Sequence, residues 1–258
     1  METLIPTASF PYLKFPFEHF NPVQAEALPL IDQDVNILMT TKTSSGKTAC
    51  GEMAIAKTVH DGAKGIYISP FRAIAQERWQ DWTNPAHGFS QLKISVCTGD
   101  YRLTDSRAGE ITASNVLSMT YEMLSHRARM YRSEKSEWIQ QVGALVVDEI
   151  HSLGEEGRGD KLEGGLIDFF HLNDHCRLIG LSATLVNAQE IADWMTKLNG
   201  RATRIIHSTW RPIPLDLQFV PYRSSHNYKL DEDTKVERTI ELLEELSGDT
   251  SLVFVHTK

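Results

Sequence analysis

An α/β fold, a mostly parallel sheet with helices on both faces, is predicted by three features of the sequence. Short apolar runs alternate with amphipathic segments from residue 35 to residue 181. Two of those runs, 144–147 and 178–181, are apolar throughout, as strands buried on both faces must be. Polar residues follow directly on the runs, at the strand ends where open parallel sheets bind their ligands.

Residues 1–20 are rich in Pro and aromatics, with Phe10-Pro11-Tyr12 and Phe15-Pro16-Phe17. Proline removes backbone donors, so an extended, packed lead-in is predicted there. Asn21-Pro22-Val23-Gln24 opens a short helix, with Asn21 as N-cap and Pro22 at the first helical position. Residues 35–39 form a strand and 49–59 a helix. Strands follow at 65–69, 94–97, 115–119, 144–147 and 178–181, and helices at 73–82 and 121–130. From Arg211 the character changes. Arg211-Pro212-Ile213-Pro214 is a stiff connector, 215–220 alternates like a strand, 222–227 is polar, 229–249 is charged with helical periodicity, and 251–255 reads as a new strand. A domain that stops just after its first buried strand is expected to be incomplete. The predicted organisation is a lead-in (1–20), a first domain (21–208), and a connector with the start of a second domain (209–258).

Composition narrows the function classes. The 258 residues are 41% hydrophobic, enough for a buried core, and carry a net charge of −8. An acidic chain does not suit a passive coat for nucleic acid. It does suit a motor that grips one strand through backbone N–H groups, hydroxyls and a few cations. No apolar run is long enough for a membrane helix, and no signal-peptide plan is present. Cys50, Cys97 and Cys176 are odd in number and far apart, which fits a reducing compartment rather than a disulfide framework. His171, His175 and Cys176 lie close in sequence, and a solvated helix end is expected there rather than a metal site.

Two stretches carry the chemistry. Thr41-Lys42-Thr43-Ser44-Ser45-Gly46-Lys47-Thr48 lies between a strand and a helix. A Gly-Lys-Thr loop in that context cradles triphosphate oxygens, with Lys47 reaching the β- and γ-phosphates and the Thr48 hydroxyl on Mg²⁺. The pattern departs from the usual loop in having Thr41 where Gly begins it; the bland alternative is a polar turn before a helix. Lys42 is expected to be solvent-exposed. The second stretch is Asp148-Glu149 at the end of an apolar strand. One carboxylate there holds the metal shell, and the other orients and deprotonates a water. An ordinary acidic helix start is the bland alternative.

Asp148-Glu149-Ile150-His151 resembles the DExH box of superfamily 2 helicases, and Ser182-Ala183-Thr184 their SAT motif. Phe20-Asn21-Pro22-Val23-Gln24 resembles the Q motif, and residues 67–75 resemble motif Ia. Thr98-Gly99-Asp100 and Met119-Thr120-Tyr121-Glu122 resemble the strand-contacting elements that follow. Residues 158–163, 181–187, 191–194 and 210–215 are similar to the Ski-like branch, nearest its archaeal fork-repair helicases and their HelQ-like relatives. The resemblance covers nearly the whole chain.

It implies a RecA-like P-loop NTPase domain using ATP and Mg²⁺. By matched position, Gln24 recognises adenine, and Thr43, Ser44, Ser45, Gly46, Lys47 and Thr48 bind the phosphates. Lys47, Asp148 and Glu149 are catalytic, with Thr48 and Asp148 holding the metal and Glu149 as general base. His151, Ser182 and Thr184 couple nucleotide state to the strand. Pro70, Arg72, Thr98, Gly99 and Thr120 contact nucleic acid. The implied activity is that of a 3′→5′ DNA helicase working on single-stranded or forked DNA, with further helicase domains beyond Lys258. Cytoplasm or, in a eukaryote, nucleus is the implied location. A Ski-type RNA helicase and a non-catalytic ATP-binding switch or scaffold are the alternatives; intact Lys47, Asp148 and Glu149 speak against the latter. Arginine fingers of the second domain are absent from the sequence. Such fingers are worth ~10³–10⁵ in rate, so slow hydrolysis is expected of this chain alone.

Overall fold

The computed structural model describes residues 4–100, 104–132, 136–222, 228–246, 248 and 250–254. The lead-in is pinned by two short antiparallel strands, β1 (Ile5–Pro6) and β2 (His19–Phe20). In chain order the remaining elements are α1 (Pro22–Ile31), β3 (Asn36–Thr41), α2 (Lys47–His60), β4 (Lys64–Ser69), α3 (Arg72–Thr83), β5 (Ile94–Cys97), α4 (Asp105–Ala113), β6 (Val116–Thr120), α5 (Tyr121–Arg129), β7 (Val142–Val147), α6 (Gly159–Leu172), β8 (Arg177–Ser182), α7 (Ala188–Asn199), β9 (Thr203–Ser208) and α8 (Tyr228–Glu245).

Strands β3 to β9 form one sheet in the order β5-β6-β4-β7-β8-β3-β9, with every neighbouring pair parallel. Its strand side chains alternate between two cores. Ile37 and Met39 of β3 pack with α1, α2, Trp82 and the lead-in aromatics, while Leu38 packs on the other face with α5, α6 and α7. Both faces are therefore dry, which is why the central strands are apolar throughout. Asn21 and Gln24 start α1 with a reciprocal capping box, Pro22 standing at the first helical position as predicted. At the other end of α1, the Arg177 guanidinium donates to the carbonyls of Leu30 (3.0 Å), Ile31 (2.7 Å) and Val35 (3.0 Å), fastening the helix to the sheet.

The chain divides into two compact units, 1–212 and 213–258. Neither 215–220 nor 251–254 is a strand, contrary to the sequence reading, and Val255 and 223–227 lie outside the described residues. A strand needs a hydrogen-bonded neighbour, and neither segment has one among the described residues. The expected helix is present as α8. Cys176 also departs from expectation: it is fully buried between Asn173 and β8, and only His171 and His175 are exposed. Elements α4, α6, α7 and β9 carried no clear signal; β9 is a half-exposed edge strand and α6 contains three glycines.

Candidate nucleotide site and nucleic-acid face

The loop from β3 to α2 is held shut by its own side chains. Thr41 is fully buried, and its hydroxyl bonds that of Ser45 at 2.7 Å, a tie that glycine at this position lacks. Ser44 (φ 63°) and Gly46 (φ 82°) take left-handed conformations. Lys47 folds back over the loop, its Nζ donating to the carbonyls of Thr41 (3.1 Å) and Lys42 (3.2 Å). Lys42 itself is half-buried rather than exposed. Burial pushes the Lys47 pKa down, and the carboxylates of Glu149 and Asp148 pull it back up.

The start of α1 stands over this loop. The Asn21 Nδ2 donates to the Ser45 carbonyl at 3.0 Å, and the Gln24 Nε2 to the Gly46 carbonyl at 3.4 Å. A Cβ on Gly46 would meet Gln24 Nε2 at 2.4 Å, so glycine is required there for space as well as for φ. Gln24 is buried, and its Oε1 accepts from the Asn21 N–H at 3.1 Å. Its amide is thus turned to α1 and the phosphate-type loop.

Strand β7 delivers the acid pair beside the loop. Glu149 sits at φ 50°, ψ 48°, a sparsely populated conformation for a side-chain-bearing residue and one that clusters at functional sites. The Tyr121 hydroxyl, at the start of α5, pins the turn by donating to the carbonyl of Asp148, with that of Glu149 at 3.3 Å. Lys47 feels both carboxylates, Glu149 feels Asp148 and Lys47, and Asp148 feels Lys47 and accepts from the Glu149 N–H. Burial raises the pKa of Asp148; for Glu149 burial and then Asp148 raise it, against His151 and Lys47. His151 Nδ1 lies 3.2 Å from Glu149 Oε2 and 3.3 Å from Ser182 Oγ, bridging the acid pair to the end of β8. Ser182 is in register with Thr40, so β8 ends alongside the loop-bearing strand. Thr184 is exposed beyond that end. The donors gathered here are hard oxygens, the Thr48 hydroxyl and the Asp148 carboxylate, with the buried hydroxyl of Tyr67 beside them. That set fits a hydrated Mg²⁺.

A second feature lies across the ends of β4 and β6. Pro70, Arg72, Gly99 and Thr120 line a cleft of about 530 Å³ together with Phe71 and Lys161. Arg72 is paired with Asp100 at 2.6 Å. Thr98 is buried and bonds Asp100 Oδ2 at 3.2 Å, holding that carboxylate rather than lining the cleft. Phe71 is half-exposed, and the Arg158 guanidinium lies 4.3 Å over its ring.

Comparison with known proteins decides the family. The profile of DEAD/DEAH box helicases matches residues 21–191, well over half of the chain. The chain belongs to the DEAD/DEAH box helicase family. It is 35% identical over 195 residues to the ATP-dependent DNA helicase Hel308 of Pyrobaculum calidifontis, covering 75% of this chain and 25% of that protein. It is 32% identical over 219 residues to the activating signal cointegrator 1 complex subunit 3 of Gallus gallus, covering 82% of this chain and 10% of that one. The chain therefore spans a quarter or less of these relatives. The fold is shared with the DUF1998 helicase MrfA, solved bound to DNA and AMPPNP, at a TM-score of 0.62 and 19% identity, over 75% of this chain and 28% of that one.

Within this helicase-family domain the residues singled out by sequence fall into two groups. Gln24, Thr41 to Thr48, Asp148, Glu149, His151 and Ser182 come together where β3, β7 and β8 end. Pro70, Arg72, Gly99 and Thr120 share the cleft, and Thr98 stands behind it. Sequence reading assigned no role to Tyr67, Tyr121, Phe71, Arg158 or Lys161. Tyr67 and Phe71 lie within residues 67–75, Tyr121 within 119–122, and Arg158 and Lys161 within 158–163, so membership of those stretches was the available signal.

Proposed function

We propose that this chain is the ATP-binding and strand-gripping part of a 3′→5′ DNA helicase that translocates on single-stranded DNA and opens forked or repair intermediates. The observation that carries the reading is the cluster of Lys47, Asp148 and Glu149, linked through His151 to Ser182. The phosphates of ATP bind to the loop from Thr43 to Thr48, with the Lys47 ammonium released from its two carbonyls onto the β- and γ-oxygens. Thr48 and Asp148 hold Mg²⁺, which when bound neutralises charge developing on the phosphates. Glu149 accepts the proton of the attacking water, a role that its pKa, raised by burial, suits better than that of an exposed carboxylate. His151 touches both Glu149 and Ser182, so a change at the γ-phosphate position reaches the end of β8. Gln24, already seated on Gly46, reports adenine occupancy to the loop.

The cleft of Pro70, Arg72, Gly99 and Thr120 grips the sugar–phosphate backbone without reading bases, as a motor stepping along any sequence requires. Arg72 exchanges Asp100 for a phosphate when it does so. Hel308, a DNA helicase by name, is among the similar proteins, and this favours DNA over RNA. On α8, Val236, Ile240 and Leu243 form an exposed apolar stripe at helical spacing; it supports a second RecA-like domain completed beyond Lys258. The three cysteines are free and buried, and no described helix is long and apolar enough to cross a membrane; we place the protein in the cytoplasm, or the nucleus of a eukaryote.

The test is ATP hydrolysis by the full-length protein, with and without single-stranded DNA or RNA of equal length. DNA should stimulate hydrolysis at least tenfold, and Glu149→Gln should slow it by ~10²–10⁴. Equal hydrolysis by Glu149→Gln and parent overturns the catalytic assignment. Stimulation by RNA alone makes the protein an RNA motor.

A further inference from the structure

The Tyr67 hydroxyl has no role in the account above, yet it is buried at the centre of the candidate site. Tyr67 lies in β4 and is fully enclosed. Its ring is fixed by packing. Trp82 meets it edge-on with centroids 5.6 Å apart, and the Trp82 Nε1 donates to Glu52 Oε1 of α2 at 2.7 Å. Gly51, also on α2, lets the helix close down: a Cβ there would stand 3.5 Å from Tyr67 Cε2 and 2.9 Å from Val146 Cγ1. The phenol is thereby aimed at the end of the sheet, where it lies beside the Asp148 carboxyl and the Thr48 hydroxyl. It interacts with both but closes a hydrogen bond of full geometry to neither. The Asp148 carboxylate accepts from the Glu149 N–H at 3.1 Å. A buried donor without a partner is rare and calls for a reason. Here the neighbours of the orphan are the two residues assigned to the metal.

We propose that Tyr67 is a positioning residue for the metal-holding pair, its hydroxyl donating to the Asp148 carboxylate and accepting from the Thr48 hydroxyl once both turn to Mg²⁺. This rests on the nucleotide reading given above. The bridge leaves the Thr48 oxygen lone pairs and one edge of the Asp148 carboxylate for the metal shell. It spends the Thr48 proton and the Tyr67 proton on fixing the angle between the two. No bond other than hydrogen bonds forms or breaks. Groups that orient metal-holding side chains in this way commonly change metal affinity by 10–100-fold when removed.

The experiment is an Mg²⁺ titration of fluorescent-ADP binding to the 258-residue chain, for the parent, Tyr67→Phe and Trp82→Phe. Tyr67→Phe keeps the ring and its packing and removes only the hydroxyl. It should bind the nucleotide as the parent does without Mg²⁺, melt at a similar temperature, and need about tenfold more Mg²⁺ for half-maximal enhancement. Trp82→Phe cuts the Glu52 bond but still sets an aromatic ring against Tyr67; it should melt lower with the Mg²⁺ midpoint unmoved. An unchanged midpoint in Tyr67→Phe overturns the proposal, and so does an equal shift in Trp82→Phe, which would trace the effect to packing. A parent that binds no nucleotide with or without Mg²⁺ overturns the nucleotide reading and this proposal with it.

Discussion

Asp148 shows at the scale of one residue how the proposed metal-holding role works against stability. Its carboxyl is raised in pKa chiefly by burial, so the folded state holds the proton more tightly than the unfolded chain does. Stability from this group is therefore fully present below the ordinary carboxylate range and lost as pH rises through the raised folded value. Above that raised value the ionised, buried Asp148 is a burden on the fold. Asp148→Asn should melt at a higher temperature than the parent at pH 7, and the gain should shrink as pH falls through the carboxylate range. Thermal unfolding at a series of pH values measures this. A constant difference across the series would mean that the carboxylate charge is not the cause. Lys47 is the complementary case, lowered by desolvation and held charged by the two acids facing it. The residue types and their order were legible in the sequence. Their mutual pKa effects were not, because these depend on burial and separation.

Helix α2 is the element on which the site depends. Its N-terminus carries Lys47 and Thr48, its middle presses on β4 and β7 through Gly51, and Glu52 holds Trp82. Gly51→Ala places a methyl 2.9 Å from Val146 Cγ1, which forces the helix outward. Overpacking of this kind costs ~1–3 kcal/mol. Denaturant unfolding of the variant should show a loss in that range, together with weaker nucleotide binding as Lys47 and Thr48 move with the helix. Full stability in Gly51→Ala would show that the α2–β7 spacing is slack. Most elements of this first unit were legible from apolar runs and turn signals, α1 with its cap included. The strands expected at 215–220 and 251–255 were misread for a reason that also holds at this scale. Alternation shows that a segment can be a strand, while only a neighbouring strand makes it one.

The whole molecule poses a question of parts. Residues 1–212 form one compact unit and 213–258 another, and the chain spans about a quarter of the length of Hel308. If arginine fingers of a second domain complete the ATP site, the 258-residue chain should bind ATP yet hydrolyse it ~10³–10⁵-fold more slowly than the full-length protein. Single-turnover hydrolysis of the two side by side measures the ratio. Equal rates would mean that the site is complete in this chain. The net charge of −8 fits a grip through hydroxyls, backbone groups and a few arginines better than a broad basic surface. Even Arg72, at the cleft, has its charge matched by Asp100.

The sequence by itself determined the fold class, the order of the motifs and the membership of the chain in a helicase family, because these are written in residue types at fixed spacing along one dimension. Local rules also sufficed for the N-cap at Asn21, with Pro22 after it, and for the loop before α2. Only the tertiary structure decided that Thr41 ties to Ser45, that His151 bridges Glu149 to Ser182, that Thr98 stands behind the cleft, and that the buried Tyr67 hydroxyl sits between Asp148 and Thr48. Each of these depends on which strand ends are neighbours in the sheet and how closely α2 approaches it. Distances of that kind arise when residues far apart in the chain are packed together, and no local pattern records them.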